Sequence, residues 1–302
     1  SYQPKRNIPA SGFLKVDSVI TTESVFDSNG SDLSNTPILW NDVTNANWQE
    51  QFNAVMNAAL SKEQFIGKPQ ASETIAGVPT EMYRLNASNV SEPLYGFTRN
   101  ISGINMPFEI VPCSFLNEKF IYEEAPIPGN SLSFIYKNDS QGFGSANTGF
   151  FLHFRQGSIG FQDFTVTNSS PNTIVAINQS NINNSDVWLF GLDSNGVIEN
   201  RWTKVPAITG NNVIYNSLEG NVNNQYAVTT RPNDQISLVF SDGTYGNLPK
   251  GNFKCVFRTS NNLTYSIQKA SFSNISIDVE YISRSGQLNT LTFNLSLQST
   301  VT

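Results

Sequence analysis

Strict two-residue alternation of apolar and polar side chains is the feature that most constrains the fold of this chain. The alternation is clearest on either side of the 241–251 loop, where every second residue is apolar: Ile236, Leu238 and Phe240 before it, and Phe253, Cys255 and Phe257 after it. Successive side chains of a β-strand point to opposite faces of the sheet. The period therefore predicts half-buried antiparallel strands that flank the loop.

Further short apolar runs follow the same rhythm through the centre and the C-terminal part of the chain, at a spacing of roughly ten residues. Turn-forming residues separate these runs. The stretch 193–196, Asp-Ser-Asn-Gly, is a typical hairpin sequence, and Gln156-Gly157 predicts another turn followed by a returning strand. The pattern predicts a mainly β protein with two or three antiparallel β-sandwich or barrel-like domains.

The strand runs and the stretches between them also predict a division into consecutive domains. An acidic, proline-containing stretch at 123–129 is typical of a connector. We expect an N-terminal β domain at 1–125, a central antiparallel β domain at 126–232, and a C-terminal antiparallel sheet at 233–302 that carries the 241–251 loop.

One segment has helical rather than strand periodicity. Its apolar residues recur every three or four positions and form one stripe: Trp48, Phe52, Val55, Met56, Ala59 and Leu60. The stripe predicts a single amphipathic helix over about 45–61 that packs on a core, with Thr44 or Asn45 as its N-cap.

Composition argues against several kinds of partner. Charged residues make up 14% of the chain and the net charge is −6, without a cluster of lysine and arginine, so no nucleic-acid partner is expected. No apolar run is long enough to span a membrane. Cys113 and Cys255 lie in strand-like runs and are expected to be buried thiols rather than a disulfide. Two cysteines alone cannot hold zinc, and we predict neither a metal nor a cofactor.

Residues suited to catalysis are present, but their spacing in the sequence does not indicate that any of them share a site. His153 is the single histidine and lies mid-strand, so a structural role is expected. The acidic residues have no spacing that brings two of them together: Glu123, Glu124, Asp163, Asp186 and Asp193. Nucleotide-binding and hydrolase motifs are absent from the sequence. We therefore predict that the protein is not an enzyme; a carboxylate-based glycosidase would need two acidic side chains facing each other in a cleft.

The 241–251 loop is the candidate contact surface. Its glycines suit positions that need positive φ or a close approach of backbone, and its proline fixes a turn. The residues that we assign to a protein–protein interface are Asp242, Gly243, Tyr245, Gly246, Leu248 and Pro249. A plain connector within a sheet is the alternative that the composition leaves open.

The loop and its flanks also resemble a known family. An apolar strand, then Asp-Gly-x-Tyr-Gly-x-Leu-Pro-x-Gly, then a strand ending Arg-Thr-Ser-Asn is similar to the baseplate J-like family, which includes wedge proteins of contractile-tailed phages. The close match covers residues 233–267. Members of that family usually carry further, often helical, segments, so the resemblance implies that this chain is a portion of a longer protein.

The resemblance implies a structural subunit that assembles into wedges and rings around the tail hub. Its partners would be other wedge and hub proteins and a second copy of itself, and it would take part in signalling sheath contraction. Its place would be the tail baseplate of the virion, after assembly in the host cytoplasm.

The main alternative is a binding module, such as a phage adhesin or a carbohydrate-binding β domain. An exposed platform of tryptophan or tyrosine would favour that alternative. A long, flat and mostly polar interface would favour the baseplate role. The sequence leaves both open.

Overall fold

The computed structural model describes residues 10–62, 74–75, 77–85, 95–116, 120–123, 125–126, 132–208, 223–244, 246–261 and 266–298. Over these residues the protein is mainly β, with one α-helix near the N-terminus. The predicted fold class, mainly β with a single N-terminal amphipathic helix, is confirmed.

The elements are short and closely spaced along the chain. The first are β1 (Ser11–Thr21), β2 (Ile38–Leu39), α1 (Trp48–Ala59), β3 (Ser61–Lys62), β4 (Thr74–Ile75), β5 (Val78–Leu85), β6 (Tyr95–Ile101), β7 (Ile104–Ile110), β8 (Cys113–Leu116), β9 (Phe120–Glu123), β10 (Leu132–Lys137) and β11 (Gly149–Gln156). The rest are β12 (Ser158–Val166), β13 (Ile174–Ile177), β14 (Ile182–Leu192), β15 (Ile198–Lys204), β16 (Gln225–Thr230), β17 (Ile236–Phe240), β18 (Gly251–Thr259), β19 (Ile275–Ile282) and β20 (Leu288–Leu297).

The described residues form two compact units. The inserted unit is built from the described residues of 157–263 and contains β12 to β18. The discontinuous unit is built from residues before and after that insertion, and contains β1 to β11 together with β19 and β20. The middle of the chain thus forms one unit, and the two flanking parts of the chain meet to form the other.

These units differ from the consecutive domains predicted at 1–125, 126–232 and 233–302. In the discontinuous unit, β1 pairs with β20 and β10 pairs with β5, so all three predicted stretches contribute strands to one sheet. The strand predicted after Gln156-Gly157 is present as β12, but it pairs with β18 and not with β11. Local periodicity identifies a strand but does not encode which distant strand will pair with it.

The sheet of the discontinuous unit runs in the order β19-β20-β1-β11-β10-β5-β3. Further strands extend it: β2 pairs with β1, β4 with β5, and β7 with both β11 and β6. The strand β1 lies at its centre, where Leu14 pairs with Leu152 of β11 and Val19 with Phe293 of β20. All four of these side chains are fully buried, which places the core against this part of the sheet.

The helix α1 covers that core through one apolar face. Phe52, Val55 and Met56 are buried, as the predicted stripe requires. Trp40, which follows β2, is also buried, and its ring centroid lies 4.6 Å from that of Phe52. Burial of large aromatic side chains supplies most of the stabilisation at such a contact.

The predicted N-cap of the helix is wrong. Asn47 is the N-cap, and not Thr44 or Asn45. The carboxylate of Asp42 accepts a hydrogen bond from the backbone N–H of Thr44 at 3.0 Å, and Oδ1 of Asn45 accepts one from the N–H of Asn47 at 3.0 Å. Each side chain closes a turn two residues further on, which keeps this segment out of the helix.

Within the described residues, the sheet of the inserted unit has seven strands in the order β12-β18-β14-β15-β16-β17-β13. Neighbours are antiparallel except β15 and β16, which are parallel. Every strand sends a buried apolar side chain into one cluster, from Val166 on β12 to Ile177 on β13. All seven strands therefore share one core, and one of the two sheets of the protein is nearly barrel-shaped.

Candidate functional site

The 241–251 loop connects two firmly packed strands of the inserted unit, β17 and β18. Ile236, Leu238 and Phe240 on β17 are fully buried, and so are Phe253 and Cys255 on β18, to within 2% exposure. The inward faces predicted for both strands are therefore confirmed, but half-burial is not: Ser237, Val256 and Arg258, on the opposite faces, are at most 8% exposed. Both ends of the loop are therefore anchored in the core of the inserted unit.

Side chains and one glycine shape the first half of the loop. Oδ1 of Asp242 accepts a hydrogen bond from the backbone N–H of Thr244 at 2.8 Å, and Oγ of Ser241 accepts one from the N–H of Gly243 at 3.2 Å. Gly243 has φ +89°, and a Cβ there would lie 3.3 Å from the side chain of Leu248. The prediction that a loop glycine needs positive φ is confirmed at this position.

Hydrogen bonds to other segments fix the second half of the loop. The backbone N–H of Asn247 donates to the carbonyl of Asn223 at 2.7 Å, and its side-chain amide donates to Oδ1 of Asn224 at 2.8 Å. The hydroxyl of Ser169 donates to the carbonyl of Pro249 at 2.8 Å. The loop is held from both sides by the body of its unit.

The structure places the six predicted contact residues in different environments. Asp242 and Gly243 are exposed, Gly246 and Leu248 are half-buried, and Pro249 is buried. The sixth, Tyr245, lies outside the described residues. Pro249 therefore supports the loop from within, while Asp242 and Gly243 are the predicted residues open to a partner. The interface role itself stays a prediction.

A shallow cleft of about 290 Å³ lies beside the second half of the loop. Its described lining is rich in amides and carries one charge of each sign: Gly191, Leu192, Glu199, Asn200, Trp202, Asn224, Asn247, Leu248, Lys250, Asn252 and Phe253. Trp202 and Phe253 form its apolar floor, with ring centroids 5.5 Å apart. Sequence reasoning missed this cleft because its lining comes from several separate stretches of the chain. Asparagines within the strands, such as Asn200 and Asn252, were the signal that could have indicated it.

The titratable residues considered for catalysis have structural neighbours. His153 is half-buried on β11, and its ring centroid lies 5.2 Å from that of Phe13. Asp163 pairs with Lys254 at 3.5 Å. Oδ1 of Asp193 accepts two backbone N–H bonds in the hairpin between β14 and β15, at the turn that the sequence predicted. The side chains of Glu123 and Glu124 lie outside the described residues.

The two cysteines are both buried thiols, as predicted. Burial raises the pKa of the Cys255 thiol to about 12. In the part of the chain that the structure describes, no three histidine, cysteine or acidic side chains are grouped so that they could hold a metal ion. Among the described helices, none has the length and hydropathy needed to cross a bilayer.

A comparison with protein families gives one match. A family model described as a domain of unknown function, DUF8360, matches residues 12–300. The chain belongs to the DUF8360 family. No curated protein and no solved structure matches it. The DUF8360 match runs through both units, so the inserted unit and the loop it carries are part of the family's domain.

Proposed function

We propose that this DUF8360 chain is a structural, non-enzymatic subunit of the baseplate wedge of a contractile-tailed phage. In this role it acts through protein–protein contacts in tail assembly and contraction. Its partners are other wedge and hub proteins and a second copy of itself. Its place is the tail baseplate of the virion, after assembly in the host cytoplasm.

The observation that carries this proposal is the conformation and exposure of the 241–251 loop, the segment that resembles the baseplate family. Asp242, Gly243 and Thr244 are exposed, and the carboxylate of Asp242 closes a turn with the N–H of Thr244. Further along the loop, Asn247 and Pro249 are held by hydrogen bonds to other segments. A contact segment that is ordered before binding loses little conformational entropy when a partner binds. Such a segment is suited to a permanent assembly.

The environments of the acidic side chains support the non-enzymatic part of the proposal. Asp186 is buried in an ion pair with Arg258 at 3.1 Å, Asp163 pairs with Lys254, and Asp193 holds a hairpin turn. General acid–base catalysis needs such groups to be within reach of a substrate. Asp186 is out of reach of a substrate, while Asp163 and Asp193 already contact a lysine and a hairpin turn of the inserted unit.

The test is light scattering over a concentration series, with the chain alone and mixed with purified wedge and hub proteins. We expect self-association or a stable complex, and we expect Asp242→Lys to weaken it at least tenfold, because a cation replaces an exposed turn-forming carboxylate. The matched control is Glu280→Lys, the same charge change at an exposed position of β19. A chain that stays monomeric with every wedge and hub protein would contradict the proposal.

The binding-module alternative was expected to have an exposed aromatic platform. The tryptophans are instead packed inside the protein. Trp40, Trp188 and Trp202 are at most 7% exposed, and Trp48 is half-buried with its ring centroid 5.9 Å from that of Trp40. Mixing with purified tail proteins separates the two roles, since an adhesin would ignore the wedge and hub proteins.

A further inference from the structure

A groove in the discontinuous unit lies between α1 and the strands β5 and β10. The helix places Gln49, Asn53 and Asn57 at four-residue intervals, which puts the three amides on one helical face. All three are exposed. They span residues 49–57, or about 12 Å of helix. The amides form one rim of a cavity of about 280 Å³.

The opposite wall of this groove is aromatic. Phe150, on β11, is buried, and its ring centroid lies 5.1 Å from that of Tyr136 and 5.7 Å from that of Tyr83. Phe143 lines the same groove. Its ring is held against Trp40 at 5.1 Å. These mutual contacts fix the rings, so the wall is formed before any ligand arrives.

The amide rim has hydrogen-bonding capacity that the protein does not use. Within the part of the chain that the structure describes, the side-chain amides of Gln49, Asn53 and Asn57 make no hydrogen bond to protein. Each primary amide offers two donors and one carbonyl acceptor. Three amides in a row beside a fixed aromatic wall provide the two kinds of contact that a polar ligand with one apolar face requires.

The charges around the groove restrict the ligand further. The described lining residues carry no formal charge. Glu81, next to them, accepts a hydrogen bond from the hydroxyl of Tyr83 at 3.0 Å. Burial, and then the charge of Glu81, raise the pKa of Tyr83 to about 12, and the same two causes raise the pKa of Tyr136. Both phenols are therefore neutral at physiological pH, and the nearby carboxylate disfavours an anion.

We propose that this groove binds a neutral saccharide. The apolar C–H face of a sugar ring would stack on the aromatic wall, as apolar groups do on such rings. The hydroxyl groups of the sugar, each both a donor and an acceptor, would pair with the amides. A proline-rich peptide also binds aromatic grooves, but it offers mainly carbonyl acceptors and would leave half of each amide unused.

The experiment measures binding of a panel of neutral di- to tetrasaccharides of glucose and of N-acetylglucosamine, by saturation-transfer NMR and calorimetry. The variant is Asn53→Ala with Asn57→Ala. Alanine is the best helix former, so the fold should be kept while two amides are lost. We expect affinity to fall roughly tenfold or more, since each lost hydrogen bond weakens binding. The matched control is Asn200→Ala, which removes an amide from the cleft of the other unit and should leave binding unchanged.

Three results would overturn the proposal. The first is that no neutral saccharide binds. The second is that the double variant binds saccharides as well as the wild type does. The third is that a proline-rich peptide or an anionic saccharide binds in place of the neutral ones. Binding should also be insensitive to salt, because the contacts carry no net charge. The wedge proposal is tested separately, since Asp242→Lys lies in the other unit and should leave saccharide binding intact.

Discussion

Arg258 and Asp186 form an ion pair inside the inserted unit, with 3.1 Å between Nη1 of the arginine and Oδ2 of the aspartate. Arg258 is 0% exposed and Asp186 is 2% exposed. The side-chain amide of Asn183 donates a second hydrogen bond to the same carboxylate oxygen at 2.7 Å. The guanidinium also lies 5.9 Å from the ring of Trp188. The pair thus links β18 to β14 with both charges removed from water.

Arg258→Met is expected to lower the free energy of unfolding by about 3–5 kcal/mol, because the Asp186 carboxylate stays buried without its cation. Urea unfolding followed by tryptophan fluorescence measures the loss. The matched control on the same strand is Lys254→Met. Lys254 pairs with Asp163 at 3.5 Å, but the two side chains are 29% and 53% exposed, so that loss should be only about 0–1 kcal/mol. Equal losses from the two variants would show that the burial of an ion pair does not determine how much stability is lost when its cation is removed.

Local sequence patterns predicted those features of the fold that depend on residues close together in the chain. Alternation assigned the inward faces of β17 and β18, turn composition assigned the hairpin at 193–196, and helical periodicity gave a helix whose observed ends lie within three residues of those predicted. The burial of Arg258 on the opposite face of β18 could not be predicted, because it depends on what other segments pack there.

Pairings between distant parts of the chain could not be predicted from periodicity. β1 pairs with β20, near the other end of the chain, and no pattern in either sequence specifies its partner strand. The insertion of 157–263 follows from those pairings, so the domain boundaries could not be predicted either. The amide rim of the α1 groove was equally hidden, because polar side chains opposite the apolar stripe of a helix ordinarily face only water.

Gly157 joins β11 to β12 with φ +126°, and a Cβ there would lie 2.5 Å from the carbonyl oxygen of Thr259. Gly157→Ala is expected to lower the free energy of unfolding by about 2 kcal/mol or more, since both the dihedral and the contact with backbone must be relieved. The control is Gly196→Ala. Gly196 has φ +78°, but its Cβ would meet nothing within 4 Å, so about 1 kcal/mol is expected from the dihedral alone. Thermal unfolding of both variants gives the comparison, and a similar loss in each would exclude the Thr259 contact as the cause.

Phe52 anchors α1 to the discontinuous unit. It is 0% exposed, and its ring lies 4.6 Å from that of Trp40 and 6.0 Å from that of Phe150. Phe52→Ala should lower the free energy of unfolding by about 3–5 kcal/mol, because the cavity it leaves is lined by rings that cannot close it. The neighbouring Asn53→Ala is the control and should change stability by no more than about 0.5 kcal/mol. Urea unfolding followed by circular dichroism distinguishes them, and a small loss for Phe52→Ala would mean that the helix is held elsewhere.

Alkaline pH should destabilise the inserted unit through Cys255. Burial raises the pKa of this thiol from an ordinary value of 9.0 to about 12. The folded protein therefore holds the thiol proton more tightly than the unfolded chain does. The resulting stabilisation is fully present below about pH 9 and is lost as the pH rises from about 9 to 12.

The comparison of wild type with Cys255→Ala isolates this effect. Burial lowers the pKa of Lys204, which is also in the inserted unit, and this change acts in the opposite direction because the folded state then releases a proton more easily. Both proteins share the lysine contribution, so it cancels in the difference between them. Urea unfolding at about pH 7 and about pH 10.5 should show the wild type losing about 2 kcal/mol more than the variant, since 1.5 pKa units correspond to about 2 kcal/mol. Equal losses in the two proteins would mean that the thiol already ionises in the folded state and that its burial contributes nothing to the pH dependence of stability.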